Sequence, residues 1–374
     1  MKKMLIVLTS LTLLSPLAVA ENWWEQAKLK GDLRYRHEVL KEGEQDARHR
    51  HRLRARFGIE GKVSSTTTIG IQLATGSSDP ISTNQTLTGG FSSKSIILDL
   101  AYFDFKPAGL PGLKITAGKI HNPFLKPGKS ELLWDSDLNP EGGAAIFERN
   151  LDNVSITLIG SGLWIEERSK SDDSWLGAGQ GVFRYNINEK KSNVAIGAGF
   201  FNYVNGKGLT PFYDGEPMGN SVTPVIVSIN EDTDDTTYAE VYTNDYEIVE
   251  LFAEATHHFK KIPVTIMFDY VKNTATDSLN TGWLAGLHIG KTKKPWSWTV
   301  RYIYRKVESD AVVGTFTDSD FRGGGTGAKG HEIGGSLILA ENTSFDISYF
   351  INKIGLDKEE EDFKRLQVDL QLKF

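Results

Sequence analysis

The chain has no cysteine among its 374 residues, which excludes a disulfide framework, a thiolate zinc site and a cysteine nucleophile. After the N-terminus it also lacks any apolar run approaching the ~18 residues that a membrane-spanning helix needs. With a mean hydropathy of −0.30, it is therefore not a bundle of membrane-spanning helices. Its 19 Phe, 12 Tyr and 8 Trp residues are too many for a disordered chain.

The first 20 residues have the order of a secretory signal peptide. Lys2 and Lys3 precede an apolar stretch over 4–14, and Ala18-Val19-Ala20 form a small-residue cleavage signal. We therefore predict cleavage before Glu21 and export of residues 21–374 as one domain. Without Lys2 and Lys3 the chain carries 40 basic and 48 acidic residues, a net charge of −8, so nucleic acid is not an expected partner.

Helical periodicity is nearly absent after Glu21, whereas apolar and polar residues alternate with period two along the chain. In the last segment Leu366, Val368, Leu370, Leu372 and Phe374 share one face, opposite Arg365, Gln367, Asp369, Gln371 and Lys373. About sixteen segments follow this pattern, at 28–39, 48–61, 66–75, 95–106, 112–120, 142–149, 153–166, 175–186, 193–204, 245–258, 262–273, 281–291, 296–307, 328–340, 343–354 and 363–374.

Connection lengths are sorted by position along the chain. Every second connection is short, at 62–65, 107–111, 150–152, 187–192, 259–261, 292–295 and 341–342, whereas the others include long loops at 76–94, 121–141, 205–244 and 308–327. Short periplasmic turns and long extracellular loops are typical of transmembrane barrels. Because backbone groups in hydrocarbon must all be paired, the sheet has to close. We therefore predict an all-β fold, a closed antiparallel transmembrane β-barrel of about 16 strands.

The sharpest local signal is a row of five arginines at period two, which places all five on one side of a strand. They are Arg48, Arg50, Arg52, Arg54 and Arg56, and Arg34 and Arg36 on the preceding strand point the same way. The opposite face becomes apolar toward Phe57 and Ile59, so the row is expected to face the lumen. Two interpretations remain open: the arginines tune pore selectivity, or wall acids such as Asp32, Asp99 and Asp369 neutralise them.

The loop 121–141 is unusually rich in Pro, Gly and apolar residues for a solvated loop. Such a composition favours packing against a surface, and the barrel interior is the surface within reach. Folded inward, the loop would place four acids opposite the arginine row: Glu131, Asp135, Asp137 and Glu141. Opposed charges across a water-filled gap would filter solutes by charge. The alternative is an external lid.

Two segments of this region resemble a known family. Gly118-Lys119-Ile120-His121-Asn122-Pro123-Phe124 and Leu133-Trp134-Asp135-Ser136-Asp137-Leu138-Asn139-Pro140-Glu141-Gly142 are similar to the bacterial "putative porin" family and, loosely, to phosphate-selective porins. The resemblance implies a water-filled channel of the Gram-negative outer membrane, a homotrimer, and a third loop that constricts the pore. The strand ending in Phe374 is similar to the signal read by the barrel assembly machinery. The lysine-rich lumen of a phosphate channel is missing.

The sequence thus predicts a porin, a passive channel for small hydrophilic solutes and ions, in contact with outer-membrane lipid and lipopolysaccharide. Such a channel needs no catalytic residue, no cofactor and no metal, so we do not expect an enzyme. Two alternatives stay open: an outer-membrane barrel enzyme and a secreted soluble β-rich binding protein. Against an enzyme, no Gly-x-Ser-x-Gly elbow and no convincing nucleophile–base set is present.

Overall fold

A computed structural model describes residues 27–187, 192–230 and 235–374. The predicted signal peptide, 1–20, lies outside the described residues. Within the described ranges, no helix has the length and apolar character required to cross a membrane.

The described chain is almost entirely strand and loop, with single 3-10 turns at Pro127–Lys129 and Gly314–Phe316. The strands are β1 (Lys28–Glu42), β2 (Arg48–Lys62), β3 (Thr67–Thr75), β4 (Gln85–Thr86), β5 (Ile96–Phe105), β6 (Leu113–Lys119), β7 (Glu141–Leu151), β8 (Val154–Glu166), β9 (Ser174–Ile187), β10 (Ser192–Val204), β11 (Val222–Asn230), β12 (Asp235–Tyr242), β13 (Tyr246–Phe259), β14 (Ile262–Asn273), β15 (Thr281–Gly290), β16 (Trp298–Val307), β17 (Ala328–Ala340), β18 (Thr343–Ile354) and β19 (Glu361–Lys373).

Sixteen of these strands form one antiparallel barrel in chain order. It closes because β1 pairs with both β2 and β19, in a register that runs from Asp32↔Lys373 to Glu42↔Phe363. The predicted fold, a closed barrel of about 16 strands, is confirmed. Three strands were not predicted: β4, which has two residues and pairs with β2, and the strands β11 and β12, which form a separate hairpin within the long loop 205–245.

The two faces of the wall follow the alternation seen in the sequence. On β19, Leu370 and Leu372 are exposed on the outside while Arg365, Gln367 and Asp369 are buried inside. Exposed apolar residues continue around the outer wall, including Leu33, Phe57, Leu158, Phe183, Ile196, Leu251, Ile266, Val300 and Ile347. An apolar exterior around a polar interior is what a barrel in lipid requires.

The two ends of the barrel differ as the sequence predicts. At one end, which we call the turn end, short connections such as 152–153, 260–261 and 341–342 join the strands. At the other, the loop end, the long connections are 76–95, 120–140, 205–245 and 308–327.

The main apolar core lies inside the barrel. It joins residues of the long loops, such as Leu132, Trp134 and Val312, to inward-facing wall residues such as Phe201 and Leu284. A sixteen-stranded barrel is too wide for its own wall side chains to fill. The loops therefore supply the missing core, and this fixes their position in the lumen.

Candidate functional site

The arginine row lies on the inner wall, where β2 pairs with β1. Arg54 is directly opposite Arg34, and Arg52 is opposite Arg36, so four guanidinium groups share one small area. Like charges placed opposite one another on a sheet are destabilising unless counter-charges are present. The site therefore depends on which acids reach this row.

Wall acids neutralise part of the row. Asp32 Oδ1 is 2.9 Å from the Arg54 guanidinium and its Oδ2 is 2.7 Å from Arg56 Nε. Asp369 accepts two hydrogen bonds from Arg36, each 2.8 Å, and fully buried Glu38 pairs with Arg50.

Two of the acids named from the sequence, Asp32 and Asp369, thus contact the row, but the third does not. The Asp99 carboxylate instead accepts hydrogen bonds from the amides of Gln72 and Asn139, each 2.7 Å.

The remaining members of the row contact the loop 76–95 or solvent, and Arg34 Nη1 also lies 3.8 Å from Asp369 Oδ2. Arg52 donates to Ser82 Oγ at 3.3 Å and Arg34 donates to Asn84 Oδ1 at 2.6 Å. The Nε atoms of both arginines are buried, and within the described residues they have no hydrogen-bond partner. Arg48 lies at the loop end of β2 and is exposed.

The loop 121–141 crosses the interior of the barrel. On one side the Leu125 N–H donates to Gln180 Oε1 of β9 at 2.8 Å, and the Gly128 N–H donates to Glu254 of β13 at 2.7 Å. On the other side Asp137 Oδ1 is 3.4 Å from both Arg54 and Arg56. The loop therefore spans the lumen between two opposite parts of the wall.

Apolar side chains anchor the loop in this position. Trp134 is 3% exposed; its ring stacks on Phe124 at 5.8 Å between centroids and meets Phe201 edge-on at 5.5 Å. Leu132 and Leu138 are also buried. These are the residues whose apolar character predicted that the loop packs against a surface.

The four acids of the loop lie in three different places. Asp137 faces the arginine row. Glu131 and Asp135 instead lie beside Asp318 of the loop 308–327, with carboxylate oxygens within 4.8 Å of one another. Glu141 is 63% exposed and pairs with Lys119 at 3.1 Å. Of these four acids, only Asp137 therefore contacts the arginine row, at Arg54 and Arg56.

The pKa shifts of these loop acids follow their surroundings. Burial and the neighbouring carboxylate of Asp318 raise the pKa of Glu131 to about 8, and burial beside Glu131 and Asp137 raises that of Asp135 well above its usual range. Burial opposes ionisation of Asp137 too, but Arg54 and Arg56 lower its pKa. A negative charge is therefore held at Asp137, whereas Glu131 and Asp135 hold protons readily.

Oxygen ligands such as Glu131, Asp135 and Asp318 suit a hard cation such as Ca²⁺. Arg305 Nη1 already lies 2.8 Å from Asp318, so a protein cation supplies part of the neutralisation. Together with the raised pKa values, this explains how three acids share one buried place.

Sequence reasoning missed the contribution of the loop 308–327. Residues 309–318 are buried, and Asp320 bridges Arg36 at 3.3 Å and Arg365 at 2.9 Å. Although burial opposes its ionisation, these arginines lower the pKa of Asp320. The run Ala311-Val312-Val313 carries the same signal as 121–141, an apolar stretch in a long loop, and could have predicted that this loop also folds inward.

The fold and the lumen define a β-barrel of the outer-membrane type whose loops reach into its interior. A family described as "Putative porin" matches residues 39–374, and the chain belongs to that family. No curated protein matches the chain.

Among solved structures, the fold resembles OmpF of Salmonella typhi in complex with daunomycin. The two are 12% identical with a TM-score of 0.56, over 93% of this chain and 97% of that one. It also resembles OprB of Pseudomonas putida, at 8% identity and a TM-score of 0.58, over 94% and 95% of the two chains. At such identities the likeness concerns the fold alone.

Proposed function

We propose that this chain is a passive diffusion channel of the outer membrane for small hydrophilic solutes and ions. The observation that supports it best is the path of the loop 121–141 from the wall at Gln180 and Glu254 to the arginine row at Arg54 and Arg56. A loop that crosses the lumen narrows any passage, and solutes then pass beside the carboxylate of Asp137.

Charge is the expected filter at this point. Asp137 contacts Arg54 and Arg56, and Arg34 lies opposite Arg54 on the same wall. The Nε atoms of Arg34 and Arg52 are buried and have no hydrogen-bond partner in the described chain. Fixed charges of both signs across a narrow aqueous gap sort solutes by charge and dipole. Passage follows the concentration gradient, so no reaction step is involved.

Planar-bilayer recording tests this function. Wild type is expected to conduct ions, and Arg52→Ala/Arg54→Ala should shift the reversal potential in a salt gradient toward cation preference, because two positive charges leave the constriction. Arg149→Ala is the matched control, since Arg149 is an exposed arginine near the turn end. An unchanged reversal potential in the double variant would place the arginine row away from the narrow point. A barrel enzyme with a packed interior would not conduct readily.

We further propose that residues 1–20 are removed on export and that the chain forms a homotrimer in the Gram-negative outer membrane, in contact with lipid and lipopolysaccharide. The apolar outer wall supports a membrane location. The mass of the membrane-extracted chain should correspond to a start at Glu21, and cross-linking in native membranes should stop at three copies. A soluble monomer would contradict both this proposal and the channel.

Assembly by the barrel assembly machinery through the closing strand β19 belongs to the same proposal. The outward Phe374 ring is 61% exposed, and its backbone pairs with Gly31 across the closure. Phe374→Ala should lower the amount of heat-modifiable, folded barrel in the membrane, whereas Phe345→Ala, at an exposed aromatic of β18, should lower it less.

A further inference from the structure

The barrel wall has a notch at its loop end. Strands β6 and β7 both stop at the pair Lys119↔Glu141, where the loop 120–140 leaves for the interior. Strand β5 continues past Ala101, its last residue paired with β6, as far as Ile96. On the other side β8 continues to Glu166. Toward the loop end, beyond Lys119 and Glu141, neither β6 nor β7 lies between β5 and β8. These two strands are therefore about 14 Å apart there, which is three strand spacings.

A cavity of about 600 Å³ occupies this notch. Its inner side is apolar and is built from Trp134, Leu138, Leu163, Leu176, Phe212 and Phe316. Leu98 and Trp164, which are 51% and 71% exposed on the outer wall, line the same cavity. The cavity therefore reaches from the lumen to the outer surface, and its volume suits a small organic molecule.

Two carboxylates in the cavity lining form no ion pair with another described residue. Asp99 is buried and receives hydrogen bonds only from the neutral amides of Gln72 and Asn139. Asp79, in the loop 76–95, accepts one hydrogen bond from the Ile81 N–H at 3.0 Å. Among the described residues neither forms an ion pair.

The other acids at the edge of the cavity already have partners. Asp137 contacts two arginines, Glu141 pairs with Lys119, and Glu166 pairs with Arg168. Asp79 and Asp99 are therefore the acids of the lining that form no ion pair among the described residues. Burial raises the pKa of Asp79, and the opposing effects of the Ile81 N–H and of the more distant Arg52 do not cancel it.

We propose that this cavity is a binding site for a small organic cation with an apolar body, held by the aromatic and aliphatic wall and by the carboxylates of Asp79 and Asp99. A buried carboxylate without a cation is costly, and a ligand ammonium group would remove that cost. The faces of Trp134 and Phe212 favour the same charge, because aromatic faces attract cations. An anion would meet two negative groups. The site adjoins the arginine row at Asp137, which lines the cavity and contacts Arg54 and Arg56, and its occupancy can be measured without ion conduction.

Equilibrium binding to the full-length chain in lipid nanodiscs tests the proposal, with 2-phenylethylammonium as the probe. Phenylacetate has the same ring with the opposite charge, and ethylammonium has the charge without the ring. We expect saturable binding of 2-phenylethylammonium and at least tenfold weaker binding of the other two. Equal binding of phenylacetate would overturn the role of charge, and equal binding of ethylammonium would overturn the role of the apolar wall.

Two variants locate the site. Asp79→Asn should weaken binding at least fivefold, whereas Asp172→Asn, which makes the same change in an exposed loop, should leave it unchanged. Ile97→Trp should abolish binding by filling the cavity from β5, and heat-modifiable electrophoresis would verify that the variant is folded. If both folded cavity variants bind the probe as wild type does, the assignment is wrong. No saturable binding to wild type would also refute it.

Discussion

Replacement of Asp137 by asparagine should make the channel more anion-selective. Asp32 and Asp137 together balance Arg54 and Arg56, so the four charges cancel. Asparagine keeps the size and a hydrogen-bonding oxygen for Thr83, which lies 3.2 Å away, but leaves the group with one net positive charge.

The size of the effect follows from Coulomb's law. One unit charge about 8 Å from a passing ion in water contributes ~0.5 kcal/mol. An anion gains this amount and a cation loses it, so the anion-to-cation permeability ratio should rise about fivefold. For a pore without initial preference, a tenfold salt gradient would convert this ratio into a shift of about 30 mV in the reversal potential.

Salt dependence provides a sharper check than the shift alone. The screening length is about 10 Å at 0.1 M salt and about 3 Å at 1 M, so the shift should be clear at the lower concentration and small at the higher. Asp152→Asn, in a turn at the other end of the barrel, is the matched control: its φ of +44° is one that asparagine tolerates. A folded Asp137→Asn channel with an unchanged reversal potential at 0.1 M would refute the placement of this charge in the pore.

Three other perturbations address the packing of the inward loop. Trp134→Ala removes the main apolar anchor of the loop 121–141, and it should lower the free energy of unfolding by about 3–5 kcal/mol. It should also increase single-channel conductance. Thermal unfolding measures the first effect and bilayer recording the second. Gly128→Ala should destabilise the barrel, since Gly128 has a φ of +55° and a Cβ there would overlap Met267 Sδ. The addition of Met267→Ala should recover part of the loss in thermal unfolding. Because the pKa of Glu131 is higher in the folded chain, protonation of Glu131 stabilises the folded state. This stabilisation is complete below the unfolded pKa of 4.5 and is lost as the pH rises to about 8. The melting temperature should therefore fall between pH 5 and pH 8, and Glu131→Gln should reduce that fall.

The sequence predicts the barrel well because one face of each strand is in oil and the other in water. The alternation of Leu366 to Phe374 against Arg365 to Lys373 is enough to assign both faces of β19, and each of the sixteen predicted segments overlaps one barrel strand. The hairpin β11–β12 forms a sheet separate from the barrel, and the sequence predicts its residues only as part of the loop 205–244.

The partners of the site residues could not be predicted in the same way. Arg36 meets Asp369, 333 positions away, only because the barrel closes in one particular register between β1 and β19. A shift of that register by two residues would keep every side chain on its face and still change the partner. The placement of Asp135 beside Asp318 likewise depends on two loops meeting in the lumen, which no local pattern specifies.

The lumen has two parts with different physical roles. Over β8 to β16 the inner wall carries most of the apolar residues that hold the loops 121–141 and 308–327, such as Phe201 and Leu284, beside a few buried polar groups such as Glu250. Over β1, β2 and β19 the inner wall carries charged side chains. Asp137 and Asp320 of the same two loops form ion pairs with these side chains. Because the apolar part fixes where the loops stand, changes there should alter the width of the passage for all solutes alike. Changes in the charged part leave the loops anchored, and should alter which sign of ion passes.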